Sequence, residues 1–252
     1  MLLKDLHDYI ASLLQTERFR DYCPNGLQVE GRAKIQRIAT GVTASQRFLQ
    51  AATEWGADAM LVHHGYFWRN EDAAITGIKK QRIAHLLKHD ISLLAYHLPL
   101  DAHAELGNNT QLGQRLGFVE QGRFGEQDIA CFGTLKKLQT LTELSASIAQ
   151  HLQRMPQIIG ANENLNEQNI QRIAWCTGAA QNYFEAAVAL GVDAFLTGEI
   201  SEQNVHVARE TGVAFIAAGH HATERYGIQA LGQHLAEHCA LEHQFFDIAN
   251  PA

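Results

Sequence analysis

Apolar residues recur along the chain in two alternating rhythms. Short apolar runs at Ile38–Val42, Ala59–Val62 and Ile91–Ala95 have the length and density of buried strands. Between the first two lies a stretch with Phe48, Leu49 and Ala52 at spacings of three and four, which predicts a helix. A second helix is predicted over about 79–89. The same plan returns later in the chain. Runs at Ile173–Cys176, Ala194–Thr197 and Val213–Ala217 alternate with a helical stretch holding Phe184, Ala187 and Val188 and with another at 202–211. Gly56 and Gly191 stand where a helix end calls for a left-handed residue. The segment MLLKDLHDYIASLLQ reads as an amphipathic helix ending near Phe19, before the turn-rich Asp21–Gly26. A smaller unit over about 121–169 holds a strand-like Ile129–Leu135, a helix-like Leu141–Leu152 with a capping box from Thr140 and Glu143, and a polar loop at 161–169. Strand–helix–strand alternation of this kind predicts an α/β fold with mainly parallel sheets.

The two runs of elements are related in sequence. Residues 37–64 and 172–199, set at an offset of 135, agree at 11 of 28 positions, among them Arg37/Arg172, Gly56/Gly191 and Asp58/Asp193. The match continues from DISLLAYHLPLD (90–101) to GVAFIAAGHHATE (212–224), and from Leu112–Leu116 to Leu231–Leu235. An ordered series over this length indicates duplication, so two related and interlinked α/β halves are expected, roughly 35–120 and 170–248. The corresponding domain division is 1–122 and 123–252, with 121–169 as a short insert between the repeats and the C-terminal segment available to pack back on the first half.

Composition narrows the function. With 46% hydrophobic and 19% charged residues, the chain reads as an ordinary globular protein. Lys and Arg total 20 against 27 Asp and Glu, a formal charge of −7, which argues against gripping a nucleic-acid backbone while leaving small phosphorylated ligands open. No stretch approaches the ~20 apolar residues of a bilayer span, and Lys4, Asp5, His7 and Asp8 interrupt any signal-peptide core. A cytoplasmic protein without a membrane partner is the expectation. Cys23, Cys131, Cys176 and Cys239 are far apart with no C-x-x-C, so they read as reduced thiols. Fourteen residues are His, and imidazole is the commonest metal ligand and a frequent proton carrier.

The histidines collect at strand ends, where α/β sheets bind ligands. Ala59–Val62 runs into His63-His64-Gly65, and Ile91–Ala95 into His97-x-x-x-Asp101. The strand of the second half that matches the latter runs into His220-His221-x-x-Glu224. The repeat therefore sets His97/Asp101 against His220/Glu224, and His64 against Glu199. Imidazole and carboxylate donors without thiolates suit Zn, Fe, Ni or Mn. Five or six of them exceed the needs of one catalytic zinc and match a pair of divalent ions. His97 is open to three roles here: ligand, hydrogen-bond donor to a ligand, or general acid–base. Exposed helix faces account for His85/His89 and His234/His238, and a solvated face for Lys79, Lys80 and Arg82. Tyr66-Phe67-Trp68 reads as core or contact, with a base-stacking wall as the functional option. Asn25-Gly26-Leu27-Gln28, Thr43 and Gly107-Asn108-Asn109 are positions that can line a pocket. There is no Walker loop, no G-x-G-x-x-G, no G-x-S-x-G and no H-E-x-x-H.

The motifs NGLQVEG (25–31), GVTAS (41–45), VHHGYFW (62–68), HLPLDAH (97–103), GNN (107–109), TGE (197–199) and GHHATER (219–225) resemble short bacterial members of the family named for the Ngg-one-interacting factor three. Such members are often labelled GTP cyclohydrolase I type 2 homologues. The resemblance covers nearly the whole chain. It implies a dinuclear centre at the strand carboxyl ends, between the halves, and a homohexamer, a toroidal trimer of dimers. It implies His63, His64, Asp101 and His220 as metal ligands, Glu224 as the bridge, and two divalent ions per chain, with Fe, Mn, Zn, Ni or Mg all compatible. His97 matches a position close to that centre and becomes the candidate proton shuttle. The expected function is a metal-dependent hydrolase acting on a nucleotide or similar small molecule; for GTP, the reaction would be hydrolysis at the purine C8 with ring opening. A non-catalytic metal-containing ring that binds protein or nucleic acid is the alternative, and an iron-dependent oxidase a third.

Overall fold

A computed structural model of the protein describes residues 1–162 and 164–252; Glu163, in the polar 161–169 loop, lies outside the described residues. The chain begins with α1 (Leu3–Leu14), β1 (Gly26–Val29), β2 (Arg37–Thr43), α2 (Gln46–Trp55), β3 (Ala59–His64), α3 (Gly77–His89), β4 (Ser92–Ala95) and α4 (Leu98–Ala102). It continues through α5 (Asn108–Leu116), β5 (Phe118–Phe124), β6 (Ala130–Thr140), α6 (Leu141–Leu152), β7 (Gln157–Ile159), β8 (Asn169–Trp175), α7 (Phe184–Ala189), β9 (Ala194–Thr197), α8 (Glu202–Thr211), β10 (Ala214–Ala217) and α9 (His220–Thr223). It closes with α10 (Arg225–Cys239) and β11 (Glu242–Phe245). Two compact units result: one of residues 1–107 and 227–249, the other of residues 108–226 and 250–252.

In the first unit the strand order is β1-β4-β3-β2-β11. β2, β3, β4 and β11 run parallel, and β1 is antiparallel to β4. The three repeat strands are apolar on both faces, as a parallel sheet covered on both sides requires. Alternate residues of β3 separate accordingly. Leu61 packs with Leu3, Leu6, Ile10 and Leu14 of α1 and with Leu231 and Leu235 of α10, whereas Met60 and Val62 pack with Phe48, Leu49 and Ala52 of α2 and with Ile83 and Leu86 of α3. The α2 helix starts where the Ser45 hydroxyl accepts the Phe48 N–H at 3.3 Å, and stops at Gly56 with φ 85°.

In the second unit the order is β5-β6-β8-β9-β10-β7. β8, β9 and β10 form a parallel centre, flanked by antiparallel β6 and β5 on one side and antiparallel β7 on the other. One face carries α6 through Leu141, Leu144, Ile148 and Leu152 against Ile173, Trp175, Leu196 and Ile216. The other carries a cluster of Phe184, Phe195 and Phe215 with ring centroids 4.9–6.0 Å apart.

The duplication starts earlier than residues 35 and 170. α1 and α6 bury their apolar residues at one spacing, Leu3/Leu6/Ile10/Leu14 and Leu141/Leu144/Ile148/Leu152. Each leads to a short strand antiparallel to the third repeat strand, β1 on β4 and β7 on β10. Much of the 121–169 segment is thus the second copy of the N-terminal elements, whereas β5 and β6 have no counterpart among the described N-terminal elements. Residues identical between the copies do identical work. The Asp58 carboxylate accepts the N–H groups of Gln36 and Arg37, and the Asp193 carboxylate accepts those of Gln171 and Arg172, each pinning the start of its strand. Among the described residues no helix is long and apolar enough to cross a membrane.

Candidate metal centre

The carboxyl ends of β2, β3 and β4 place the donors of the first unit. His63 and His64 are the last two residues of β3 rather than its continuation, because β3 keeps its pairing with β2 as far as Thr43↔His64. His63 is fully buried, and its Nδ1–H donates to the Tyr96 carbonyl at 2.9 Å. A carbonyl only accepts, so Nδ1 carries a proton and Nε2 is the nitrogen that would bind a metal. That Nε2 lies 3.5 Å from Asp101 Oδ1. Asp101 is 6% exposed and sits in the single turn of α4, with its N–H on the His97 carbonyl, so His97 and Asp101 share one side of that turn. His64 is half-buried, with Nδ1 3.4 Å from the Thr43 hydroxyl. The rings of His63, His64 and His97 have centroids 4.5–5.7 Å apart, and one nitrogen of each lies within 4.8 Å of the others.

His97 is held from the loop before β1. Its Nδ1–H points to Asp21 Oδ1 at 2.7 Å, and its backbone N–H to Asn25 Oδ1 at 2.7 Å. Burial would raise the Asp21 pKa, but the hydrogen bond and charge of His97, with Asn25 and the Leu98 N–H, outweigh it and hold the carboxyl at about 2. Asp21, Cys23 and His97 form a further cluster of ligating types, with the Cys23 thiol pushed by burial and by Asp21 up to about 12. Gln28 braces the His63-His64-Gly65 turn: its Oε1 accepts the Tyr66 N–H at 2.7 Å while its Nε2 donates to the Pro24 and Tyr66 carbonyls. Tyr66 is core, with its hydroxyl donating to the Ala44 carbonyl. Phe67 takes φ 66°, a left-handed conformation that costs a bulky residue roughly 1–3 kcal/mol and re-aims the chain. The next residue, Trp68, is half-buried, edge-on to His97 at 5.1 Å and 5.9 Å from the His64 ring.

In the second unit the donors stand beyond the ends of β9 and β10. His220 opens α9, with Nδ1 2.6 Å from Glu199 Oε1 and Nε2 3.1 Å from Glu224 Oε2. Burial would lower the His220 pKa; the hydrogen bond and charge of Glu224, and then of Glu199, override it and raise the value to about 9. The raised value favours a proton on His220 Nε2, facing a 3% exposed carboxylate. The same two atoms can instead share a divalent cation, which displaces that proton. Space for the Glu224 carboxylate depends on Gly178 (φ 68°), where a Cβ would overlap Glu224 Oε1 and stand 3.3 Å from His220 Nε2. The Gly178 loop is fixed by Asn109, whose Oδ1 accepts the Thr177 N–H, and by Thr197 and Thr223, whose hydroxyls bond the Gly178 carbonyl and N–H.

Each unit therefore gathers its expected residues: His63, His64, His97 and Asp101 in the first, and His220, Glu199 and Glu224 in the second. His85 and His234, expected on helix faces, are half-buried and bonded to Thr53 and Tyr9, so they knit helices together. Lys79 is not simply solvated: its ammonium donates to the Asp72 carbonyl and lies over the Phe67 ring. Gln28 falls among the positions expected to line a pocket, but its work is to brace a turn. Asp21 and Gly178 carry site geometry that the sequence does not single out. Asp21 stands in the loop read as a turn. The only signal for Gly178 was a glycine just beyond a strand.

These groups of His, Asp and Glu side chains have the composition and spacing to hold metal ions. A model of the family described as Duf34/NIF3 (NGG1p interacting factor 3) matches residues 1–251. A Neisseria meningitidis serogroup B protein named GTP cyclohydrolase 1 type 2 homolog is 54% identical over 252 residues, all of both chains. The solved structure titled protein ybgI, unknown function, superposes with a TM-score of 0.95 at 47% identity over all of both chains. TTHA1606 from Thermus thermophilus superposes with a TM-score of 0.90 at 29% identity, again over all of both chains.

Proposed function

The chain belongs to the Duf34/NIF3 family, and from that premise we propose that it is a metal-dependent hydrolase of nucleotides or similar small heterocyclic compounds, using two divalent ions held by His63, His64, Asp101, His220 and Glu224. The observation that carries the proposal is the state of the imidazoles. His63 and His220 both commit Nδ1 to an oxygen acceptor and present Nε2 to a buried carboxylate, Asp101 and Glu224 respectively. Ligating histidines are held in this way, with the second ring nitrogen tied to a carboxylate or carbonyl that fixes the ring. Bound ions of this kind supply Lewis acidity and a water activated near neutral pH. Around them the protein's own groups have definite tasks. His97, with Nδ1–H on Asp21, can take up a proton at Nε2 and return it to a leaving group. Trp68, beside His97 and His64, offers an aromatic surface to a planar ring. Glu224 would help hold the ions together with the histidines, and Glu199 keeps His220 in register. GTP is the first substrate to try, because the Neisseria relative's name contains GTP cyclohydrolase, and opening at the purine C8 is the reaction to look for. The reading also includes a hexameric ring working in the cytoplasm.

The test is elemental analysis of protein purified without a metal-affinity tag, beside His64→Ala and Glu224→Ala, followed by a nucleotide hydrolysis screen. About two ions per chain are expected, lost in both variants together with hydrolysis. Protein that neither contains nor takes up Mn, Fe, Zn or Ni, or that hydrolyses as well in both folded variants, would overturn the reading and leave the binding ring as the alternative.

A further inference from the structure

The loop between α1 and β1 spends its most buried charge on His97. The Asp21 side chain is 3% exposed, and each hydrogen bond it makes is one it accepts. Oδ1 takes the Tyr22 N–H at 2.6 Å and the His97 Nδ1–H at 2.7 Å; Oδ2 takes the Asn25 amide at 2.8 Å and the Leu98 N–H at 2.9 Å. A carboxylate surrounded by donors stays ionised and can only accept, so the neutral His97 ring must carry its proton on Nδ1. Asn25 completes the clamp by accepting the His97 N–H. Asp21 thus reaches the residue on both sides of its peptide, through the ring of His97 and the N–H of Leu98.

We infer that Asp21 is the positioning residue of His97, locking the ring as the Nδ1–H tautomer and so leaving Nε2 unprotonated in a ring that packs against His63 and His64. A bland role, tying a surface loop to the sheet, does not account for a second fact. In the other half His220, the repeat counterpart of His97, has Nδ1 on a carboxylate at 2.6 Å, and that carboxylate is Glu199 from the end of β9. The element corresponding to the Asp21 loop there is only the short connection 153–156 between α6 and β7. The two halves reach one carboxylate–imidazole arrangement with residues from different elements, which singles out the proton on Nδ1 as what both devices serve. The inference rests on the proposed hydrolase only for what His97 then does: with Nε2 unprotonated, the ring accepts a proton from the reacting water before it donates one.

Long-range imidazole ¹H–¹⁵N NMR of the metal-free full chain at about pH 9, above the ordinary imidazole range, reads the tautomer directly, with His97→Gln assigning the signals. The wild-type His97 ring is expected to show a protonated Nδ1 and an unprotonated Nε2, and Asp21→Ala to lose that bias. A wild-type ring protonated on Nε2, or an Asp21→Ala protein that keeps the wild-type tautomer, would overturn the inference. If Asp21→Ala fails to fold, the wild-type spectrum still decides. Metal uptake in the same samples separates the two claims: the expected tautomer in a protein that binds no metal would uphold the role of Asp21 and sink the hydrolase reading.

Discussion

At the scale of single residues, this protein controls imidazoles through the atom that does not face the site. His63 is set by a main-chain carbonyl, His97 by Asp21 and His220 by Glu199, and in each case an acceptor holds a proton on Nδ1. Glu224 is controlled differently, by what is missing opposite it. Gly178 has φ 68° and gives up the very volume the carboxylate fills. Gly178→Ala is therefore expected to cost about 1–3 kcal/mol through its left-handed backbone and to displace Glu224 as well. A lower melting temperature together with reduced metal content is the expected result. A variant with wild-type metal content would show that Glu224 is not held by this contact.

At the scale of elements, strand ends deliver the donors and short helical turns space them. The i, i+4 separations His97/Asp101 and His220/Glu224 each span one turn, so imidazole and carboxylate fall on the same side. The longer helices do the holding. α6 begins with a complete capping box, Thr140 accepting the Glu143 N–H while the Glu143 carboxylate accepts the Thr140 N–H. It then buries four aliphatic side chains under β8, β9 and β10. Thr140→Ala should destabilise the protein by about 1 kcal/mol, read as a lower urea midpoint, with Thr140→Ser close to wild type. An unchanged midpoint in Thr140→Ala would mean that packing alone sets this helix start.

At the scale of the whole molecule, duplication supplied two similar sets of strand ends, and divergence gave them different donors. The copies keep their strand-pinning aspartates and apolar helices but differ at the site: His64 stands where the other copy has Glu199, and Asp101 where it has Glu224. That division of labour gives one chain an imidazole-rich half and a carboxylate-rich half. The proposed hexamer is checked by light scattering, which should give six times the 28.0 kDa chain mass. A monomer or dimer at working concentration would remove the ring from the proposal.

The sequence by itself determined the alternation of elements, the duplication and the residue types at the strand ends. Each is written in local pattern or in a short motif: apolar runs, three-to-four-residue spacings, a helix cap at Thr140, His-His-Gly after an apolar run. The expected ends of β9 and α6 coincide with the structure because a strand buried on both faces stops where polar residues begin and a capped helix starts at its cap. Long-range placement was decided only by the tertiary structure. That β11 adds to the first sheet beside β2, and that the α6–β7 pair repeats α1–β1, depends on which edge the chain returns to. The unequal connections 15–25 and 153–156 also hide the second relation from any fixed offset. The hydrogen bonds of Asp21 and Gln28 belong to the same class. A turn-rich loop in sequence says nothing of which histidine it will clamp, since that contact joins residues 76 positions apart and exists only once β1 has paired with β4.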